Sequence, residues 1–450
     1  MTSECERCAC GSRWAVGMEN NTLPYLRLAG GLAILVLLAP VSRALDAAGI
    51  DIHGSVSLTA SYSDTYNYLG DTKGSPSLNL VDAIINGSHR FESGLRAGAQ
   101  FYGYKIGNFR DVTLDWANLD YAVNSAFGVR VGRNKLPLGL YNDSQDLDAT
   151  RTFASLPLTF YSKSYRATNG FVDGAVVYGT LEAGKAGSLE YQAYYGTKPT
   201  IPRNTPLITG SDNIALATSW EFNKPVYGCA FFWDTPISGL RVGYSYLVNP
   251  EGTLRGTLAP TSQLRTQYLA LPHLVDTYMG AGTWNNSGRF AGTSADITGI
   301  RIVTQVASLE WNHGKWNIAS EYKIQDLPQG VSSIPALQLL GIPATTPFTA
   351  NILEWYVMAS YQATDRIGYG VYYSYENRGH KTAGSSSDPT QYTKDWAAAV
   401  SYAVTSSWTM KAEIHLMDGR SELFNQGDDN QWNGTKDRWA YLVLKSTLSF

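Results

Sequence analysis

The densest grouping of reactive side chains lies at the start of the chain, where Cys5, Cys8 and Cys10 form a C-x2-C-x-C cluster. Thiolates at that spacing make half of a tetrahedral zinc site, which needs a second ligand pair. The only other cysteine, Cys229, stands more than two hundred residues away, so the spacing argues against a metal centre. The six histidines, His53, His89, His273, His313, His380 and His415, are scattered without the pairing that metal ligation uses. No H-E-x-x-H, G-x-S-x-G or G-x4-G-K-[ST] motif occurs, so neither an enzyme, a cofactor nor a metal is expected. A Ser and His that meet only in space would leave no such motif.

The remaining chemistry is Coulombic. Residues 137–170 carry three acids and three bases, Asp143, Asp146, Asp148, Arg151, Lys163 and Arg166. A second set, Arg96, Arg130, Arg241, Arg301, Lys323, Lys411 and Lys445 with Glu190, Glu321, Glu354, Glu376, Asp395 and Glu413, falls on the polar phase of alternating segments. In a narrow aqueous passage such charges act on ions through their field and by replacing hydration. Six charges in thirty-four residues are equally ordinary for a solvated loop, and the second set suits salt-bridged wall residues.

Composition indicates what must hold these groups. The 450 residues are 44% hydrophobic but only 16% charged, with 43 Gly, 29 Tyr and 12 Trp, whereas soluble proteins carry about a quarter of their residues as charge. No shift in composition marks a domain boundary. A transmembrane β-barrel fits, because lipid-facing and lumen-facing residues alternate and average the hydropathy to near zero. The net charge is −3. Without residues 1–44, which hold four bases and three acids, it becomes −4, and no nucleic-acid partner is indicated.

Period-two alternation runs through the rest of the chain. Leu442, Leu444, Leu448 and Phe450 oppose Lys445, Thr447 and Ser449, and Trp408, Met410, Ala412, Ile414 and Leu416 oppose Lys411, Glu413 and His415. A soluble sheet with one wet face would also alternate, so the argument rests on number and spacing. Sixteen strands are expected near 50–62, 78–88, 91–104, 112–123, 127–136, 171–181, 187–197, 226–234, 240–248, 299–311, 315–325, 351–362, 367–377, 394–404, 408–418 and 438–450. Eighteen is the alternative count, and the strand-like stretch Asn213 to Glu221 is assigned to a loop. Short connections such as Asn124-Ser125-Ala126 and Thr405-Ser406-Ser407 alternate with long polar ones at 137–170, 198–225, 249–298, 326–350 and 419–437. That parity predicts an all-β, antiparallel up-and-down barrel with short periplasmic turns and long outer loops. Trp116, Trp233, Trp311, Trp316, Trp355, Trp396, Trp408 and Trp439 sit at segment ends, where interfacial girdles are expected.

From Leu28 to Ser42 runs an uncharged, mostly apolar stretch between Arg27 and Arg43. Its length suits a secretory signal, with the mature start near Leu45 and an overlong extension before Met18. With this signal, the first strand Ile50 to Leu58 and the terminal Phe450, the chain resembles a Gram-negative outer-membrane porin. The segment V-R-V-G-R-N-K-L-P-L-G-L-Y at Val129 to Tyr141 is similar to the G-R-x-K-x-P-x-G stretch of phosphate-selective porins and their uncharacterised relatives. Those relatives depend on a ladder of basic residues, and no such ladder can be traced here. The resemblance implies a bacterial outer-membrane location, contact with lipid, recognition of Phe450 by the assembly machinery, a homotrimer, and a loop 137–170 folded into the barrel as its constriction. It implies a water-filled channel for passive diffusion of small hydrophilic solutes or ions. The alternatives are a channel selective for anions or sugars and an exported β-rich carbohydrate-binding or adhesion protein.

Overall fold

The computed structural model describes residues 45–423 and 436–450, apart from 48, 108, 149–150, 164–165, 203–214, 259–293, 295, 334, 336–337, 339–342, 348, 379–388 and 390. The leading segment 1–44, with Cys5, Cys8 and Cys10, lies outside the described residues.

Sixteen antiparallel strands form one closed ring. They are β1 (Ile50–Ser63), β2 (Ser77–Arg90), β3 (Arg96–Ile106), β4 (Phe109–Asn124), β5 (Phe127–Lys135), β6 (Phe171–Glu182), β7 (Ser188–Thr197) and β8 (Val226–Asp234), then β9 (Leu240–Leu258), β10 (Asp296–His313), β11 (Trp316–Ser333), β12 (Ala350–Gln362), β13 (Ile367–Arg378), β14 (Tyr392–Ala403), β15 (Trp408–Gly419) and β16 (Arg438–Ser449). Each pairs with its neighbours in sequence, and β16 returns to β1 from Ser55↔Ser449 to Ser63↔Tyr441. Closure leaves the barrel no unpaired edge, the condition a sheet must meet to span lipid. At the seam Gly54 and Phe450 exchange both backbone hydrogen bonds, at 3.0 and 2.9 Å. The Phe450 ring lies so close to Gly54 that a Cβ there would stand 2.5 Å from its Cζ.

Alternation decides what faces where. Val112, Val131, Val371 and Leu416 are exposed on the outer wall, while Ser57, Thr59, Lys445 and Thr447 turn inward. Trp233, Trp316 and Trp396 are exposed. Trp439 is not a girdle residue: it shares the inward phase of Tyr441 and Val443 and is buried against Tyr66 and Tyr68.

Short connections gather at one end of the ring, at 125–126, 183–187, 235–239, 314–315, 363–366 and 404–407, and long ones at the other. The exception at the long-loop end is the short connection between Ile106 and Phe109, where Gly107 adopts φ +59°. The regions expected to be loops at 249–298 and 326–350 are partly strand. β9, β10 and β11 continue their pairing beyond the ring because Ile201, Trp220, Ile297, Ile300 and Leu327 cluster there as a small apolar core. Ala215–Phe222 is a strand rather than loop, yet adds no stave. It pairs with the projecting part of β9 as an upward continuation of β8, across a break at 223–225 where Pro225 cannot donate to the ladder.

Candidate functional site

The main apolar cluster lies inside the barrel, because the segment between β5 and β6 folds into it. Leu136, Leu138, Phe153, Leu156, Phe160 and Tyr161 of that loop pack against Val176, Val306, Ala319, Tyr356 and Tyr372 of the wall. Pro137 ends β5, and Gly139 at φ +76° turns the chain inward. The Asn142 amide then donates 2.8 Å bonds to the carbonyls of both Leu136 and Asn169, tying the two ends of the loop together.

One flank of the loop is sealed onto β9–β15. Glu321 accepts from the Leu140 N–H (2.8 Å), Ser308 Oγ (2.6 Å), Tyr356 OH (2.7 Å) and Tyr161 OH. Gly139 N–H donates to Ser245 Oγ and Tyr141 OH to Glu310. Lys323 donates to the Phe160 carbonyl and is paired with Glu354. Glu413 takes the Ala154 N–H at 2.7 Å, and His415 lies between Glu413 and Asp395 at 2.7 and 3.0 Å. Phe153 fills the space over Gly370, where a Cβ would meet its ring at 2.5 Å. Just past β15, Glu422 shares an Arg378 clamp with Glu376. Burial and the neighbouring Glu376 push the Glu422 carboxyl well above its usual range.

The opposite flank faces β1–β5 and β16 across a cleft of about 60 Å3, lined by Ser55, Ser57, Asp82, Asp146, Arg151 and Lys163 among others. Arg166 bridges Asp115 (2.6 Å) and Asp146 (2.5 Å), and its guanidinium lies 4.1 Å over the Tyr102 ring. Lys135 bonds the same two carboxylates at 3.0 and 2.7 Å. Lys163 sits 2.8 Å from Asp82. Asp148 receives two ammonium groups, Lys411 and Lys445, each at 3.0 Å, and the Thr447 hydroxyl at 2.5 Å. Burial alone would raise the Asp148 and Asp146 carboxyls, but these cations hold both well below the usual range.

Of the charges expected in the constriction, Asp146, Asp148, Arg151, Lys163 and Arg166 line this cleft, whereas Asp143 is exposed away from it. Of the expected lumen residues, Arg130 pairs with Asp120 and stacks on Tyr178, Arg241 pairs with Glu190 and lies over Phe232, and Arg96 is exposed and bonds Ser88. Lys323, Glu354, Lys411 and Glu413 point inward but are buried beside the loop, and Glu376 is buried against Ser421 and Glu422. Arg301 is not a wall residue. It stands exposed at a register break beyond the ring, paired with Gln329, because β10 runs past the barrel. Asp82, on the inward phase of β2, joins the cleft charges through its pair with Lys163. Asp115 was hidden by a bulge, since Gln100 and Phe101 pair with Trp116 and Leu114 and leave it outside the alternation.

No family model and no curated protein sequence matches the chain. Solved structures do. The outer membrane channel DcaP of Acinetobacter baumannii is 9% identical, covering 91% of this chain and 100% of its own, with a TM-score of 0.50. OmpT, an outer membrane protein of Vibrio cholerae, is 12% identical over 91% and 100% with a TM-score of 0.49. The anion-selective porin of Comamonas acidovorans is 10% identical over 89% and 99% with a TM-score of 0.46. The likeness is one of fold: a sixteen-stranded barrel of the porin type.

Proposed function

We propose that the chain is a porin of the Gram-negative outer membrane, forming a water-filled channel for passive diffusion of small hydrophilic solutes or ions. The observation that carries this reading is the asymmetric seating of the inner loop. It packs extensively against one half of the wall, and against the other, where Ala154 and Leu158 join a second apolar cluster with Leu80, Tyr441 and Val443, it leaves a polar, charge-lined cleft. A closed ring with an apolar outer surface supports insertion in lipid, and the fold shared with the channel DcaP supports the same reading. The exposed apolar wall disfavours a freely soluble carbohydrate-binding or adhesion protein. Residues 1–44 act as the export segment, and homotrimers are the assembly this reading implies.

Proteoliposome swelling tests it. Vesicles holding the protein should swell in isotonic small solutes such as arabinose and stay unswollen in a large oligosaccharide. Swelling no faster than in protein-free vesicles would contradict the channel. Phe450 is assigned to assembly. Its deletion should lower the amount inserted in the outer membrane severalfold while detergent refolding changes little, and normal membrane levels would contradict that role.

A further inference from the structure

The cleft cations are not equivalent. Lys163, Arg166 and Lys445 each have a carboxylate within 4.0 Å. Arg151 has none among the described residues. Its Nη atoms donate to the backbone carbonyls of Gln145 at 2.7 Å and Ser144 at 3.4 Å, and its Nε is shut off from water with no acceptor. A guanidinium has five N–H donors and always carries its charge, so three have no acceptor among the described residues.

The surrounding charge has the same sign. Lining the cleft are Asp82, Asp146 and Asp148 against Arg151, Lys163, Arg166 and Lys445, three acids to four bases. Adding the groups that directly share these carboxylates, Asp115 on one side and Lys135 and Lys411 on the other, makes four to six. One carboxylate, Asp148, serves two ammonium groups at once. Apart from the Gln145 amide, the rest of the lining is apolar or hydroxylic, with Ile84, Leu156 and Leu158 beside Ser55, Ser57 and Ser155. A planar cation without a direct carboxylate contact, at longer range from Asp148 and Asp146 and next to an apolar wall, suits an ion with a two-oxygen anionic head and a short hydrocarbon body.

We propose that this cleft is a transit-binding site for small organic monocarboxylates, with Arg151 as the group that receives the carboxylate. This rests on the channel reading and names the solute class for the same site. The fixed positive excess draws anions into the cleft, the outer Nη donors of Arg151 hold the carboxylate, and the alkyl part lies along the apolar side of the cleft formed by Ile84, Leu156 and Leu158.

The test is planar-bilayer recording on the protein purified from membranes. In a KCl gradient the wild type should reverse on the anion side, and propionate should reduce the chloride current saturably where neutral propionamide does not. Arg151→Gln should lower the anion-to-cation permeability ratio about fivefold, the order expected for removing one unit charge beside an aqueous path, and should abolish the propionate effect. Lys163→Gln removes the same charge and should lower the ratio while retaining the propionate block. Arg151→Lys should keep the ratio and weaken the block. A cation-selective wild type, or propionate block that survives in Arg151→Gln, would overturn the proposal. Should Arg151→Gln not insert, equal effects of propionate and propionamide on the wild type would overturn it. A folded barrel with no current would overturn the channel reading together with this one.

Discussion

The two flanks of the inner loop are built from similar residue types and do opposite things. Toward β9–β15, carboxylates accept from tyrosine hydroxyls and loop N–H groups, with Glu321 alone receiving four donors. Toward β1–β5 and β16, carboxylates meet ammonium and guanidinium groups beside an open cleft. The difference teaches that burial decides role. Charge sealed under the loop is spent on anchoring it, and charge left at the cleft edge is what the proposed channel would present to ions.

The strongest way to break the comparison is to remove what separates the flanks. Deleting residues 143–166 should raise unit conductance severalfold while the barrel stays folded and heat-modifiable. Unchanged conductance would place the loop outside the conducting path. Glu321→Ala comes next. It strips four donors of their acceptor on the sealed flank and should destabilise the loop packing by about 3 kcal/mol, read as faster hydrogen exchange at 138–161 and a noisier open state. The same measurements on the cleft-side Lys163→Gln should change selectivity but little exchange.

The smallest effect is in pH, and its sign should differ between flanks. Asp148 is held below its usual range, so the stability it contributes is complete above the unfolded pKa, about 3.9, and is lost as pH falls below it. Glu422 has its pKa raised by burial and Glu376, so its native state binds the extra proton and stability declines as pH rises above about 4.3. Thermal unfolding across pH 3 to 9 should show both limbs. Asp148→Asn should flatten the acid one and Glu422→Gln the alkaline one, and a limb unmoved by its own variant would refute that assignment.

Much of the architecture was readable from alternation. Each of the sixteen expected segments overlaps a stave of the ring, because a wall between lipid and an interior imposes period two on every strand. Alternation also brought Lys411, Glu413 and Lys445 to the inside. It could not say which inward residues meet water, because that depends on where the loop lies. Asp148 contacts Lys445 across 297 positions and Ala154 contacts Glu413 across 259, and no local pattern encodes such pairs. The insertion of the loop was suggested only by resemblance. The misplacement of Arg301 and the oversight of Asp115 have local causes, register shifts that interrupt the period on which their phase was counted.

The central claim, that ions pass along the β1–β5 flank and not the β9–β15 flank, is tested most directly by thiol accessibility during current recording. In a Cys229→Ser background, Ser55→Cys places a thiol on the cleft and Ser374→Cys places one on a fully buried, inward-facing position of β13. A charged methanethiosulfonate reagent should cut the current of Ser55→Cys within seconds and leave Ser374→Cys unchanged. Block at Ser374→Cys with none at Ser55→Cys would contradict the account.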